Sequence, residues 1–306
     1  MSRYRDLVLA VARFGPIERF ARRRGLRLGA NRFVAGESLD DGMRVARSLQ
    51  EAGRYPILDR LGEYVADDEA ADRAEEDVTE TIRAYAALPA PRRMSIKPSQ
   101  IGLGLDPERA TERARRIATE ADAAGVEVCL DMEDHPHVDA TLDLLETLHD
   151  EGHRRVSTVL QSYLRRTPDD LARLLARDPV PELRLVKGAY AEPASVALQR
   201  TREVREAFMR QVETALDGGG VVHVATHDPG LIAHAREHRD ALGVPRERCD
   251  VQLLHGVKPR LQERLAREGE TVGVYLPFGS DWYGYFSRRL AERPANLAFV
   301  ARGLFG

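Results

Sequence analysis

Cysteine is scarce in this sequence of 306 residues, and long apolar runs are missing. The two cysteines, Cys129 and Cys249, lie far apart in apolar, strand-like stretches. This excludes a scaffold built on several disulfides and predicts two buried thiols in a protein of the cytoplasm. No stretch reaches the roughly 18 apolar residues that a transmembrane helix needs, and no apolar core of a signal peptide is recognised.

A surplus of either charge is also missing, because the formal net charge is −3 at pH 7. We therefore expect no nucleic-acid partner. The first 32 residues differ from the rest, with nine arginines, no lysine and two acids, Asp6 and Glu18. We interpret this segment as a helical arm with solvated arginines; a targeting peptide or a helix on a membrane surface is the alternative.

Three motifs that would define a reaction are absent or incomplete. No G-x-S-x-G is present, which argues against acyl transfer. "GLGLDP" at 102–107 lacks the third glycine of a dinucleotide fingerprint. The histidine pairs His149/His153 and His234/His238 have i, i+4 spacing but no third ligand nearby in sequence. We interpret them as solvated histidines and expect no metal site.

The sequence does contain a regular alternation of short apolar runs and amphipathic helical stretches from residue 55 onward. Such alternation predicts βαβ units, and eight units predict a closed (β/α)8 barrel over 55–306, preceded by an arm over 1–54. An open doubly wound sheet is the alternative. "RFVAGES" at 32–38 would be a ninth strand, and we interpret it as a link to a helix at 39–53. The predicted strands are 55–63, 94–100, 126–133, 157–163, 183–190, 221–228, 250–257 and 271–279.

In a (β/α)8 barrel, functional side chains lie at the carboxyl ends of the strands. Here those ends carry many charged and hydrogen-bonding side chains, which stability alone rarely requires. In chain order they are Glu63, Lys97, Asp131, Glu133, Gln161, Tyr163, Arg184, Lys187, Tyr190, Thr226, His227, Asp228, His255 and Tyr275. Their convergence on one rim predicts an enzyme site.

Three of these strand ends suggest how a ligand is held. Lys97 lies within a strand run and points either into the barrel mouth or out toward the helices. Gly188 beside Lys187 lets a ligand approach the backbone closely. "THDPG" at 226–230 offers a hydroxyl, an imidazole and a helix N-terminus, which together suit a phosphate or diphosphate.

A predicted helix near the end of the chain reads "YFSRRLAE". Its residues Tyr285, Arg288, Arg289 and Glu292 occur at i, i+3, i+4 and i+7, so they share one helical face. Such a face either meets water or holds an anionic ligand, and two adjacent guanidiniums are suited to an anion.

Several stretches resemble the proline dehydrogenase family. They are "SIKPSQIGL", "CLDMED", "VLQSY", "RLVKGAY", "VATHD", "QLLHGV", "YLPFG" and "YFSRRLAE", which occur in the family's order from about residue 33 to the C-terminus. The resemblance implies a distorted (β/α)8 barrel that binds FAD without covalent attachment and oxidises L-proline to Δ1-pyrroline-5-carboxylate. It also implies that the last helix lies over the mouth of the barrel.

The resemblance implies a substrate site beneath that helix. Lys97, Arg288 and Arg289 would bind the carboxylate of proline, because guanidiniums form charge-assisted, fork-shaped hydrogen bonds. Glu292 would orient an arginine. The proline ring would be walled by Tyr275 and Tyr285.

The resemblance carries over two further sets of roles. A gating ion pair would join Glu63 to Arg288. Lys97, Asp131 and Tyr190 match positions regarded as catalytic, with Asp131 orienting Lys97 or the substrate amine.

For FAD, the resemblance implies contacts at four neighbouring strand ends. The cofactor residues would be Met132, Gln161 and Arg184 at the isoalloxazine, Lys187, Gly188 and Ala189 along the ribityl and phosphate path, and Thr226 and His227 at the diphosphate. A fixed cation such as Arg184 suits a ring system that becomes anionic when a hydride arrives.

The expected function is the first step of proline catabolism by a monofunctional bacterial enzyme, with electrons passing from FAD to a membrane quinone. The expected location is the cytoplasm, with the arm as a peripheral contact to the inner face of the cytoplasmic membrane. Two alternatives stay open. One is a barrel lyase or aldolase that uses Lys97 or Lys187 as a Schiff base, and the other is a barrel that binds a small anion without catalysis.

Overall fold

The computed structural model describes residues 29–62 and 65–292, together with residues 15, 19, 21 and 25. Glu63 and most of the first 28 residues lie outside the described residues, and Glu292 is described by its backbone alone. The roles expected of Glu63, of the Glu292 side chain and of the arginine-rich segment therefore stay predictions.

The described residues contain eight strands, which form one closed, parallel barrel in chain order. The barrel closes where β1 pairs with β8, from Tyr55 opposite Gly273 to Arg60 opposite Phe278. The strands are β1 Tyr55–Arg60, β2 Arg93–Ile96, β3 Glu127–Leu130, β4 Val156–Gln161, β5 Leu183–Val186, β6 Val222–Ala225, β7 Cys249–Leu254 and β8 Val272–Phe278. This confirms the predicted barrel and excludes the open sheet.

Helices alternate with the strands. Helix α1 directly precedes β1, and each strand is followed by an α-helix within the part of the chain that is described. They are α1 Leu39–Glu51, α2 Asp68–Tyr85, α3 Pro107–Ala124, α4 Val138–Asp150, α5 Thr167–Leu175, α6 Thr201–Asp217, α7 Pro229–Ala241, α8 Pro259–Arg267 and α9 Trp282–Glu292. None of the helices in the described ranges combines the length and apolar character that crossing a membrane requires.

Helix α3 shows why these segments fold as they do. The side chain of Asp106 accepts hydrogen bonds from the backbone of Glu108 and Arg109, and Gly125 ends the helix in the left-handed conformation. One apolar stripe is buried, as the period of the sequence predicts: Ala110, Ala114, Ile117, Ala118 and Ala121. Burying a side chain such as Ile117 contributes roughly 1.5–3 kcal/mol. Both cysteines are buried and free, as predicted.

Residues 32–38 are not a strand, which confirms the prediction that they are a link. A short 3-10 helix, Ala30–Arg32, precedes them. Ser38 and Asp41 then form a capping box that begins α1. Helix α1 packs against β1 and β8, so the last part of the predicted arm contacts the barrel directly.

Helix α9 lies at the mouth of the barrel. Its aromatic residues Trp282, Tyr283, Tyr285 and Phe286 form a cluster separate from the main core. The same cluster contains Phe33 and Val34 from the link, Leu61 just beyond β1 and Val257 just beyond β7. Because the last two positions follow the carboxyl ends of their strands, α9 covers that end of the barrel, as the resemblance implies.

The interior of the barrel is polar, whereas bulky apolar side chains fill most (β/α)8 barrels. Side chains from strands that are not neighbours in the sheet bond to each other across the interior of the barrel. Arg184 of β5 donates to Ser95 of β2, and Tyr55 of β1 donates to Asp250 of β7. This column of polar groups connects the mouth with the opposite end of the barrel.

Candidate active site

Lys97 is the centre of an ion-pair cluster in the mouth. Its Nζ lies 3.4 Å from Oδ1 of Asp59 and 3.6 Å from Oδ2 of Asp131, and its side chain is 11% exposed. Tyr275 of β8 donates its hydroxyl to Oδ2 of Asp131 at 2.7 Å. Burial raises the pKa of Tyr275 well above its usual value, and the nearby carboxylates of Asp131 and Asp59 raise it further. Lys97 therefore points into the mouth, and Tyr275 acts as a donor.

Arg184 is a buried guanidinium beside this cluster. Its Nη1 donates to Oδ1 of Asp131 at 2.7 Å and to Oγ of Ser95 at 2.8 Å, and its Nε donates to Oε1 of Gln252 at 2.7 Å. Its Cζ lies 5.6 Å from the centroid of the Tyr275 ring. Acceptors on different sides of the barrel thus fix the plane of the guanidinium.

Asp131 connects these groups, since its two oxygens accept from Arg184 and Tyr275 and one of them pairs with Lys97. A carboxylate shared in this way holds both cations in place. The two ion pairs of Lys97 suit a charged ammonium, whereas a Schiff base requires a neutral amine. The arrangement therefore favours electrostatic binding by Lys97 over Schiff-base chemistry.

Asp59 was missed in the sequence because β1 was predicted to end at Glu63. The strand ends at Arg60, so the inward-facing residue at its carboxyl end is Asp59, which is fully buried. The alternation of Tyr55, Ile57 and Asp59 along one face was the signal that could have identified it.

The ends of β3 and β4 are joined by hydrogen bonds. Gln161 donates its side-chain amide to the backbone oxygen of Glu133 at 2.7 Å. The carboxylate of Glu133 accepts from both the backbone and the hydroxyl of Ser99. Burial raises the pKa of Glu133. Met132, next to Glu133 in the chain, is buried.

The loop after β5 is partly exposed to solvent. Lys187 and Tyr190 are half-buried and Ala189 is exposed. Gly188 has φ 104°, and a Cβ atom added to it would overlap the ring of Tyr163. The predicted need for glycine at this position is therefore explained by a left-handed backbone packed directly on an aromatic ring.

The loop after β6 differs in part from the prediction. His227 accepts a hydrogen bond at Nε2 from the backbone of Leu254 at 3.0 Å. The hydroxyl of Thr226 accepts from the backbone of Asp228. The carboxylate of Asp228 caps the N-terminus of α7 and pairs with Arg205. The helix N-terminus is therefore already occupied by an acid, and the expected cradle at 226–230 is reduced to the hydroxyl and the imidazole.

Lys258 was also missed, and it completes a pattern. Its Nζ donates to the backbone oxygen of His227 at 2.8 Å, and its backbone has the unusual φ of 48°. The chain contains three lysines, Lys97, Lys187 and Lys258. Each follows the carboxyl end of a strand, β2, β5 and β7 respectively. The sequence signal that could have identified Lys258 is that lysine is rare in this arginine-rich chain and occurs only just after strands.

On α9, Tyr285 is buried, and Cζ of Arg289 lies 5.2 Å from the centroid of its ring. Arg288 and Arg289 are both half-buried. This face of the helix is thus not simply turned to water, although Glu292, which shares it, is described by its backbone alone.

The histidine pairs are not all solvated, contrary to prediction. His149 is buried, and its Nε2 bonds to the backbone oxygen of Val156 at 2.7 Å. His153, His234 and His238 are each paired with a carboxylate. Within the described ranges, no group of three or more histidine, cysteine, aspartate or glutamate side chains is placed to hold a metal ion.

The β5 to β7 side of the mouth carries cationic and polar groups that could hold an extended anionic ligand. Arg184 supplies a buried cation there. The Gly188 backbone beyond it packs directly on the ring of Tyr163. Beyond this, His227 and Lys258 supply an imidazole and an amine along the same edge. A long anionic ligand is matched by this order of groups.

Together, the closed barrel and the charged mouth under α9 define a (β/α)8-barrel enzyme whose site is suited to an extended anion and a small acid. The family model "Proline dehydrogenase" matches residues 43–302. The chain therefore belongs to the proline dehydrogenase family.

Two relatives match almost end to end. The chain is 42% identical over 305 residues to "Proline dehydrogenase" of Deinococcus radiodurans, covering 98% of this chain and 97% of that protein. It is 37% identical over 300 residues to "Proline dehydrogenase 1" of Bacillus subtilis, covering 98% of each. These matches extend across the barrel and α9.

Among solved structures, proline utilization A from Bdellovibrio bacteriovorus, inactivated by N-propargylglycine, matches with a TM-score of 0.80 at 21% identity. The match covers 90% of this chain and 34% of that longer chain. At this identity the likeness concerns the fold alone.

Proposed function

We propose that this chain oxidises L-proline to Δ1-pyrroline-5-carboxylate, the first step of proline catabolism to glutamate, with FAD as the hydride acceptor. The observation that carries this proposal is the buried Arg184, bonded to Asp131 beside Lys97 in the covered mouth. A fixed cation next to a charged amine supports the proposal, because the first would suit an electron-rich ring and the second a small acid.

The substrate carboxylate would be bound by Lys97 from below and by Arg288 and Arg289 from α9. Two guanidiniums and an ammonium can share one carboxylate through charge-assisted hydrogen bonds. The half-buried arginines and the inward-facing Lys97 support this role. Glu292 would offset the accumulated positive charge.

Tyr275 and Tyr285 would wall the proline ring. Their aromatic faces are already engaged by Arg184 and Arg289 respectively, so both rings are held in place before a ligand arrives. Asp131 would orient Lys97, with Tyr190 as a further catalytic residue. A pair between Glu63 and Arg288 would close the mouth.

FAD supplies a two-electron acceptor when it is bound. Met132, Gln161 and Arg184 would hold its ring system, Lys187, Gly188 and Ala189 would line the middle of the molecule, and Thr226 and His227 would meet the diphosphate. Arg184 would stabilise negative charge on the ring system, because a preorganised cation in a buried site needs no rearrangement during the reaction. The aromatic residues of α9 would keep water out.

Electrons would then pass to a membrane quinone. The arginine-rich segment would belong to an arm over residues 1–54 and would provide peripheral contact with the inner face of the cytoplasmic membrane for an otherwise cytoplasmic protein. Deleting residues 1–28 should weaken binding to anionic liposomes without altering the flavin. Equal liposome binding by the shortened chain would refute the membrane contact.

The test of the main proposal is the visible absorption spectrum of the purified protein. We expect oxidised flavin bands that bleach when L-proline is added without air. Bands that persist with excess proline would refute the substrate, and a protein that neither contains nor takes up FAD would refute the cofactor.

A further inference from the structure

A chain of hydrogen bonds runs downward from Arg184 into the barrel. Nε of Arg184 donates to Oε1 of Gln252 at 2.7 Å. Nε2 of Gln252 donates to the hydroxyl of Tyr55 at 3.0 Å. That hydroxyl donates to Oδ2 of Asp250. A group in the mouth is thus connected through two side chains to a carboxylate near the amino-terminal end of the barrel.

The chain continues to the far end of the barrel. Oδ1 of Asp250 lies 2.9 Å from Nδ1 of His223, and Nε2 of His223 lies 2.9 Å from Oε2 of Glu182. Glu182 also accepts from Nη1 of Arg93 at 2.6 Å, and Arg93 pairs with Glu127. Glu127 and Glu182 line a cavity of about 330 Å³ at that end, so the network spans the barrel.

The direction of each bond follows from Arg184. Because arginine can only donate, the amide oxygen of Gln252 must face it, and the amide nitrogen must face Tyr55. The Tyr55 oxygen then accepts from Gln252, so its own proton goes to Asp250. Asp250 must in turn be an acceptor toward Tyr55. One orientation of every group is therefore consistent with the bond to Arg184.

The network is buried to a degree that stability alone does not explain. Tyr55, Gln252, Asp250 and His223 are each at most 5% exposed. Removing charges from water is costly, and well-packed apolar residues of similar size are often at least as stabilising. Arg184 could be buried with its Asp131 and Ser95 bonds alone, yet a further set of polar residues continues below it.

We propose that Tyr55, Asp250 and His223 are positioning residues that hold Gln252, and through it the guanidinium of Arg184, in the orientation required beneath the flavin. This inference rests on the proposed function for the identity of the flavin. None of the three touches the mouth. Their effect reaches the site through one amide.

The experiment compares Tyr55→Phe with Tyr85→Phe in the FAD-loaded protein. Both variants lose one buried tyrosine hydroxyl. The hydroxyl of Tyr55 belongs to the network, whereas that of Tyr85 donates to the backbone oxygen of Pro56 at 2.5 Å. Tyr55→Phe keeps the ring, which fills the space over Gly273, so the barrel remains packed.

For Tyr55→Phe, we expect the two-electron reduction potential of the bound flavin to fall by about 30 mV, which is a tenfold change in its reduction equilibrium. We expect kcat to fall about tenfold, the size of effect that one ordinary hydrogen bond supports, with little change in KM for proline. Tyr85→Phe should alter none of these. A potential for Tyr55→Phe that equals that of the parent and of Tyr85→Phe would overturn the proposal.

Gln252→Leu tests the same chain one bond higher. If Tyr55 acts through Gln252, then adding Tyr55→Phe to Gln252→Leu should shift the potential no further, because effects within one network are not additive. Fully additive shifts would overturn the proposal. The matched control is Gln262→Leu, since Gln262 is a buried glutamine of α8 whose hydrogen bonds, to Arg54 and to the backbone of Leu254 and Val257, do not involve the network.

The two proposals fail in different ways. The reduction potential is measured with a chemical reductant and does not depend on the substrate. A protein that binds FAD but is not bleached by proline would refute the substrate assignment while the Tyr55 comparison still decides the role of the network.

Discussion

Arg184 shows how many contacts can fix the position of a single residue in this mouth. It accepts no hydrogen bond, donates to groups from three other strands or strand ends, and stacks beside Tyr275. Its position is therefore determined by the barrel rather than by its own strand. A lysine would keep the charge but could not meet three acceptors in one plane.

Arg289 is the residue for which the substrate proposal makes its clearest prediction. Arg289→Met should raise KM for proline about 10- to 100-fold, because it removes charge-assisted hydrogen bonds of roughly 1.5–3 kcal/mol. Flavin content, read from the visible spectrum, should stay near that of the parent, since Arg289 is not among the residues proposed to hold the cofactor. Steady-state kinetics with proline check the first part.

Arg44→Met is a suitable control for this substitution. Arg44 lies on α1, pairs with Asp41, and has a side chain that is 66% exposed. Its loss should leave KM unchanged. An Arg289→Met enzyme with the KM of the control would show that Arg289 does not bind the substrate.

At the residue scale, the sequence could predict that Lys97, Asp131, Arg184 and Tyr275 belong to one site because each lies in or just after an apolar run. It could not predict Tyr55 or Gln252. Both lie inside strands, and their partners are on strands far away in the chain. Only closure of the barrel brings such residues together, and periodicity does not encode which inward-facing side chains meet.

Among the elements, the loop after β5 depends on one glycine. Gly188→Ala would force a side chain into the Tyr163 ring at a φ of 104°, a conformation that costs of order 1–3 kcal/mol for other residues. We expect weaker FAD retention, by about tenfold or more, with little effect on the fold. Equilibrium dialysis or fluorescence titration with FAD measures this.

Gly53→Ala is the matched control for the loop. Gly53 also has a positive φ, of 71°, but an added Cβ meets no atom within 4 Å, and the residue follows α1 at the other end of the barrel. Gly53→Ala therefore introduces backbone strain without a steric clash, which separates the effect of strain from the effect of the clash with Tyr163. Equal FAD binding by Gly188→Ala and the parent would mean that the loop does not contact the cofactor.

The strands were predictable in number and order, but less so in length. Each predicted strand overlaps an observed one, yet most were predicted to continue past the true end, as with β1, which ends at Arg60 rather than Glu63. The polar residues that follow the strands belong to loops: residues 98–101 after β2 form a 3-10 helix, and Gly188 after β5 has a φ of 104°. An apolar sequence pattern indicates where a strand lies, but the residue at which strand pairing ends depends on the neighbouring strands, which the pattern does not specify.

For the whole molecule, the half-buried imidazole of His255 contributes to the dependence of stability on pH. Burial lowers the pKa of His255 from 6.5 to about 4, although a hydrogen bond to the backbone of Asn31 opposes the shift. The unfolded chain therefore takes up a proton between pH 6.5 and about pH 4 that the folded chain resists. The resulting stability is present above pH 6.5 and is lost as the pH falls through this window.

His255→Gln should remove this dependence. We expect the free energy of unfolding of the parent to fall, relative to that of His255→Gln, by of order 1 kcal/mol or more between pH 7 and pH 4.5. Denaturant unfolding of both proteins at several pH values measures the difference. A gap between the two proteins that is constant with pH would show that His255 titrates normally in the folded state.

The placement of the three lysines makes the mouth chemically distinct from the rest of the surface. Apart from the α-amine, every acylable amine of the chain lies beyond β2, β5 or β7. An N-hydroxysuccinimide ester should therefore act as a site-directed inhibitor, and loss of turnover should follow acylation of Lys97 in peptide mass maps. Full turnover after all three lysines are acylated would contradict this. For the same reason, immobilising the protein on a support through its lysine amines would attach it at the mouth of the barrel and obstruct the site. A linkage through arginine or carboxyl side chains would leave the mouth accessible.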